Sequence, residues 1–303
     1  MKKRHHTVPR CYLENFTDEN GFVWVLDTKN KIFKIKPENI LVENHFYTIT
    51  LKNGEKSLVI EDTLANMEGA YAGIFADKIS QNKFLTPEER AKVSIFISAM
   101  IHRTKPNRES MRNMLQKLKG TMGEWKKQFE TMTPEQRRTA SAIPSSGGQN
   151  ITMGDLDEYL GDFDEQQSMR LIDDTVDTAQ IIFDMKWAIV RCEDPNHQFV
   201  TSDNPLVMMR PLSIKKYGRN AIGSLPGLAY QDVEVTIPLA KDRLLLAGWI
   251  LNEDSYIFMP KDMSEGFNQR TILHSSEKVI TSSEKQAESI RTKYPSKSNS
   301  LKL

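Results

Sequence analysis

Apolar positions along this chain switch between two periods, and each switch predicts a change of element. Phe22-Val23-Trp24-Val25-Leu26-Asp27 and Ile32-Phe33-Lys34-Ile35-Lys36 predict two strands joined by a polar turn at 28–31. The second strand alternates apolar residues with lysine, which predicts one wet face. Phe46-Tyr47-Thr48-Ile49-Thr50 and Ser57-Leu58-Val59-Ile60 predict a second hairpin around Asn53-Gly54. From Ile60 the period becomes helical: Leu64, Met67, Tyr71, Ile74, Phe75 and Ile79 recur at three and four residues. Thr86-Pro87-Glu88-Glu89 is a capping box with proline at the first helical position. The helix behind it buries Val93, Phe96, Ile97, Met100 and Ile101 and ends near Arg103, because Lys105-Pro106 opposes its continuation.

A helix over 108–129 follows, with a thin stripe of Met111, Met114, Leu115, Leu118 and Trp125. Thr133-Pro134-Glu135-Gln136 starts another short turn, and Pro144-Ser145-Ser146-Gly147-Gly148 marks a linker near 141–153. Met169, Ile172, Val176, Ala179, Ile182 and Phe183 predict one more helix. Strands then return at 187–192, 199–202, 206–209, 233–239 and 244–250, with a glycine-containing loop over 218–230. A helix over 262–274 and a short strand at Val279-Ile280 close the folded part, and the chain from 284 to 303 reads as a frayed polar tail. The order strands, helices, strands is that of the α+β class. It predicts a mixed or antiparallel sheet built from N- and C-terminal strands, with a helical middle at about 61–183, in one composite domain over 1–283.

The opening stretch is denser than a terminus requires. In Arg4-His5-His6-Thr7-Val8-Pro9-Arg10-Cys11-Tyr12-Leu13-Glu14-Asn15-Phe16, Thr7 reads as the cap of a short helix and Pro9 as a first-turn residue. Tyr12, Leu13 and Phe16 then share one face and anchor in the core.

Composition changes this picture little. The chain has 303 residues, 39% hydrophobic and 27% charged, and 41 Lys and Arg against 40 Asp and Glu, so no global field selects a nucleic acid. Charge is uneven locally: ten Lys and Arg against four acids over 102–140, then nine acids against one arginine over 151–177. Such faces are either solvated or docking surfaces. Two cysteines fit a reducing cytosol and exclude a four-cysteine zinc site. No run approaches the roughly 18 apolar residues of a membrane span.

Candidate chemistry gathers in a few places. His5 and His6 are adjacent imidazoles suited to metal ligation or proton transfer near neutral pH. They serve equally as one backbone-bonded ring beside one solvated ring. Thr201-Ser202-Asp203-Asn204-Pro205 lies between two apolar segments. Asp203 there is a metal ligand or base at a strand end, or it and Asn204 bond their own turn. Glu61 and Glu68 stand two helical turns apart, a spacing that suits a divalent cation, although Glu61 is also an ordinary first-turn acid. His102 and Arg103 complement a helix C-terminus, and Arg103 also suits phosphate or carboxylate. Asn268 and His274 either face a pocket or cap a helix. His45 precedes an aromatic strand, half-buried. Cys11 and Cys192 are poor nucleophiles because apolar surroundings raise a thiol pKa. No dinucleotide, P-loop, nucleophile-elbow, zincin or EF-hand pattern is present.

His5-His6-x-x-Pro9-x-x-Tyr12-Leu13-x-x-Phe16 resembles the opening signature of the bacterial family of unknown function DUF4238. Phe46-Tyr47-Thr48, Ile60-Glu61 with Glu68, Arg103-Thr104 and Thr201-Ser202-Asp203-Asn204-Pro205 are similar to it as well, so the resemblance spans most of the chain. It implies a bacterial or phage-borne cytosolic setting and both motifs at one site, but no reaction.

Two functions follow as expectations. In the first, a metal-dependent hydrolase acts on a phosphodiester or nucleotide. His6, Asp203 and Glu68 hold Mg²⁺ or Mn²⁺, the other histidine activates water, and Arg103 stabilises phosphate charge. Asn204, Asn268 and His274 are further candidates. In the second, the chain is a non-enzymatic binding module in anti-phage conflict, and the two motifs lock the N-terminus to the sheet.

Overall fold

The computed structural model describes residues 4–50, 55–141, 152–192, 194, 197–217, 227–259 and 263–295. The Asn53-Gly54 turn, the Pro144–Gly148 linker and most of the 218–230 loop lie outside them.

Strand β1 (Arg4–His6) opens the chain, followed by helix α1 (Arg10–Leu13) and a 3-10 turn over Glu14–Phe16. Strands β2 (Val23–Asp27), β3 (Ile32–Ile35) and β4 (Val42–Asn44) come next, then the short pair β5 (Ile49–Thr50) and β6 (Lys56–Ser57). The helical middle holds α2 (Val59–Ile74) with a π turn over Phe75–Ile79, α3 (Pro87–His102), α4 (Lys105–Thr131), α5 (Pro134–Ser141), α6 (Met153–Gly161) and α7 (Phe163–Asp184). Then follow β7 (Lys186–Arg191), β8 (Thr201–Ser202), β9 (Val207–Met209), α8 (Pro211–Tyr217), β10 (Glu234–Ala240), β11 (Arg243–Gly248), β12 (Ser255–Phe258), α9 (Met263–His274), β13 (Lys278–Thr281) and α10 (Glu284–Lys293). The architecture is α+β.

Two larger sheets frame the core. One has the order β3-β2-β13-β8 and joins the N-terminal hairpin to C-terminal strands, all antiparallel. The other, β12-β7-β11-β10-β9, is mixed, since β12 runs parallel to β7. The expected hairpin forms, with Val25 opposite Phe33. Pro238 sits inside β10, where it lacks an N–H; it lies opposite Leu244 of β11, next to a register shift and beyond Thr236, where β9 ends.

The opening anchors lie between these layers. Tyr12, Leu13 and Phe16 are fully buried in the same cluster as Val25, Phe96, Ile97, Trp187, Ile237 and Ile280. The Tyr12 hydroxyl donates to the Pro238 carbonyl at 2.6 Å and pairs with Thr201 Oγ1 at 2.7 Å, so one side chain ties the two sheets together.

Several expectations are corrected. Thr7 does not cap α1: the cap position is Pro9, and the Thr7 hydroxyl donates to the Leu41 carbonyl (3.2 Å). Phe46 and Tyr47 are in a turn rather than a strand, because His45 takes a left-handed φ of 57° and breaks the extension. The returning strand stops at Ser57, and Val59 already begins α2. Glu284–Lys293 form helix α10 rather than a frayed tail, and residues 296–303 of that expectation lie outside the described residues. Ser283 caps α10 by accepting from the Gln286 N–H; Ala287 and Ile290 are buried, and Ile290 clusters with Leu26, Val200 and Val279. The acidic and basic middle segments partly neutralise each other, through Arg112 with Asp164 (2.7 Å) and Lys119 with Asp157.

Candidate functional site

Strand β1 pairs antiparallel with β4, with His5 opposite Glu43 and His6 opposite Val42. Successive strand side chains point to opposite faces, so the two imidazoles meet different surroundings. His5 is 3% exposed and stacks on Tyr47, ring centroids 5.6 Å apart. The Tyr47 N–H donates to His5 Nδ1 (3.0 Å), which assigns the ring proton to Nε2. That atom lies 3.3 Å from Glu61 Oε2.

His6 is half-buried, and its Nδ1 is buried with no hydrogen-bond partner among the described residues. Burial lowers its pKa; Glu68 opposes this, while Arg103, Arg4 and Arg10 add to it. The ring is therefore neutral at pH 7. The His6 carbonyl accepts from Arg103 Nη2 at 2.7 Å.

Arg103 follows the last residue of α3 and is 3% exposed. Its Nη1 donates to Glu68 Oε1 (2.7 Å), which arrives from the middle of α2. Burial alone would lower the Arg103 pKa, but Tyr47 and Glu68 outweigh it and keep the guanidinium charged. The Tyr47 hydroxyl donates to the Arg103 carbonyl (2.9 Å), which makes Tyr47 a hub between β1, β4 and α3. Arg108 completes the support: it donates to the Phe46 carbonyl (2.9 Å) and to Ser168 Oγ (3.0 Å), with its guanidinium 3.9 Å from the Phe46 ring centroid. Cys11 lies close by, donating to the Glu68 carbonyl (3.8 Å); burial and Glu68 push its thiol up to about 12, which makes it inert at neutral pH.

Asp203 is loaded differently. Its Oδ1 accepts from the Ser276 N–H (2.9 Å), and its Oδ2 from the N–H groups of Glu277 (2.6 Å) and Lys278 (3.3 Å). Asn204 donates to the His274 carbonyl (3.4 Å). Asn268 accepts from the Val200 N–H (3.0 Å) and donates to the Gln198 carbonyl (2.9 Å), which pins the chain entering β8. Burial lowers the His274 pKa. These four residues brace β8, α9 and β13.

So His5, His6, Glu61, Glu68 and Arg103 come together, while Asp203, Asn204, Asn268 and His274 form a second cluster. Asp203 lines a cleft of about 250 Å³ that no member of the first cluster lines; Thr7, next to His6 in sequence, is on its wall. Among the described residues no group of three or more His, Cys, Asp and Glu side chains is placed to hold a metal ion. The expected set of His6, Asp203 and Glu68 is not assembled as a centre, because Asp203 faces backbone amides and Glu68 faces Arg103.

Tyr47, noted only within the Phe46-Tyr47-Thr48 resemblance, and Arg108 were not among the site candidates read from the sequence. The strand expected at Phe46–Thr50 concealed Tyr47, and Arg108 read as one of many charges on a long helix. The pairing of Phe46 and Tyr47 behind His45 was the available signal.

No helix among the described residues is long and apolar enough to cross a membrane. Comparison with curated proteins and with solved structures finds no match. The model of the family described as "Protein of unknown function (DUF4238)" matches residues 4–285, nearly the whole length, and the chain belongs to that family.

Proposed function

We propose that the protein hydrolyses a phosphodiester or nucleotide, with His6 as the general base. The observation that supports this is the state of His6: a neutral, half-buried imidazole beside the Glu68–Arg103 pair, flanked by Arg4 and Arg10. A neutral imidazole accepts a proton from water, and the arginines favour an anionic substrate. Glu68 retains a second carboxylate oxygen beyond the one bonded to Arg103. The reading includes Mg²⁺ or Mn²⁺ at that oxygen, with water and substrate phosphate as the other ligands, as is common for these ions, which leaves the lone pair of His6 available for the proton. Asp203 then positions the cleft wall instead of ligating. A cytoplasmic setting and a nucleic acid or nucleotide partner belong to the same proposal. His6→Ala is expected to reduce cleavage of a mixed oligonucleotide and nucleotide panel by about 10²–10⁴-fold. Chelation with EDTA is expected to abolish it. Cleavage by His6→Ala at the wild-type rate would remove His6 from the reaction.

A second reading, a non-enzymatic binding module in conflict with phage, is favoured by a specific observation. Asp203, Asn204, Asn268 and Arg103 all bond backbone groups of distant segments. An absence of turnover across the panel, with a sharp loss of stability in His5→Ala and Asp203→Ala, would select it.

A further inference from the structure

Glu43, Glu109 and Glu277 line the 250 Å³ cleft, and Phe33, Ile35, Ile40 and Pro106 contribute an apolar wall. Lys105, the first residue of α4, reaches between two of these glutamates. Its Nζ is 3.6 Å from Glu43 Oε1 and 3.6 Å from Glu277 Oε1. Burial would lower the Lys105 pKa, but Glu277, Glu43 and Glu109 outweigh it and keep the ammonium charged. The remaining charges are committed: Asp203 accepts from three backbone N–H groups, and Lys278 pairs with Glu277 at 3.0 Å.

The cleft thus already holds an ammonium, supplied by the chain itself. Both ion pairs are longer than a hydrogen bond and partly exposed, so they are weak and displaceable. The lining carries Glu43, Glu109, Asp203 and Glu277 against Lys105 and Lys278, both already paired with glutamates, so it disfavours an anion. Drug-sized ligands fill roughly 300–1,000 Å³, which favours something smaller here.

We propose that this cleft binds a small amphipathic organic cation, whose ammonium replaces that of Lys105 between Glu43 and Glu277 while its hydrocarbon part lies on the apolar wall. This site is independent of His6 and does not rest on the hydrolase reading.

Isothermal titration calorimetry with n-hexylamine tests it, with n-hexanol and hexanoate as neutral and anionic controls of equal chain length. Saturable 1:1 binding of hexylamine is expected, with hexanol weaker and hexanoate undetectable. Lys105→Met removes the internal competitor and should tighten hexylamine binding about fivefold. The double variant Glu43→Gln with Glu277→Gln should weaken it about tenfold. A misfolded variant binds less in either case, so opposite shifts cannot arise from damage to the fold. The proposal is overturned by hexanol binding as tightly as hexylamine, or by no saturable binding in either wild type or Lys105→Met. Variants that shift together, or not at all, overturn it equally.

Discussion

Asp203 and His6 are polar residues in the same region of the molecule, yet their atoms are committed in opposite ways. Asp203 spends its carboxylate on three backbone N–H groups of the α9–β13 connection. Each donor left without an acceptor costs about 1–3 kcal/mol when buried. Ser276 and Lys278 are half-buried and Glu277 is exposed, so water recovers part of that cost. Asp203→Ala is expected to destabilise by about 3 kcal/mol in urea unfolding, and Asp203→Asn, which keeps one acceptor oxygen, by less. Equal stability of wild type and Asp203→Ala would remove the bracing role. Three imidazoles set a pH dependence. Burial lowers the pKa of His6, His102 and His274. In the unfolded chain these rings take up protons near pH 6.5, while in the fold they resist, so the unfolded state binds more protons below that pH. Their contribution is complete above about pH 6.5 and is lost as pH falls through the folded values. The urea midpoint is therefore expected to drop between about pH 7.5 and pH 5, less steeply in His102→Gln with His274→Gln. A flat midpoint over that window would contradict the assignment.

Elements whose signals are local were legible in the sequence. The capping box is present, with Thr86 Oγ1 accepting from the Glu89 N–H and Glu89 accepting from the Thr86 N–H. The β2–β3 hairpin and the burial of Tyr12, Leu13 and Phe16 needed only alternation and helical spacing. Elements that depend on distant partners were not legible. Strand β1 exists because β4 lies beside it, and nothing within Arg4-His5-His6 announces a partner 36–40 residues away. Strand β13 lies between β2 and β8, which no local pattern encodes. The candidate site followed the same rule: both motifs stand out in the sequence, but Asp203's commitment to amides of 276–278 is a long-range fact. Helix α10 shows the effect in energetic form. Ten residues rich in charge would not stay helical alone, so docking through Ala287 and Ile290 holds it. Ile290→Ala is expected to destabilise by about 2 kcal/mol, read as a lower urea midpoint, and to loosen α10 first in hydrogen exchange. Unchanged protection of 284–293 would mean that the helix does not depend on this contact.

At the scale of the molecule, the helical middle is inserted between strands that end in one sheet, β3-β2-β13-β8. The opening residues are consequently enclosed by parts of the chain encoded far downstream. Tyr12 illustrates this: its hydroxyl partners are 189 and 226 residues later in sequence. At a synthesis rate of about 5–20 residues per second, the wait for Pro238 is about 10–45 s. During that interval Tyr12, Leu13 and Phe16 have no finished core to enter, and the apolar face of α1 stays open to whatever it meets first. Residues that end up fully enclosed are thus left uncovered through most of the chain's synthesis.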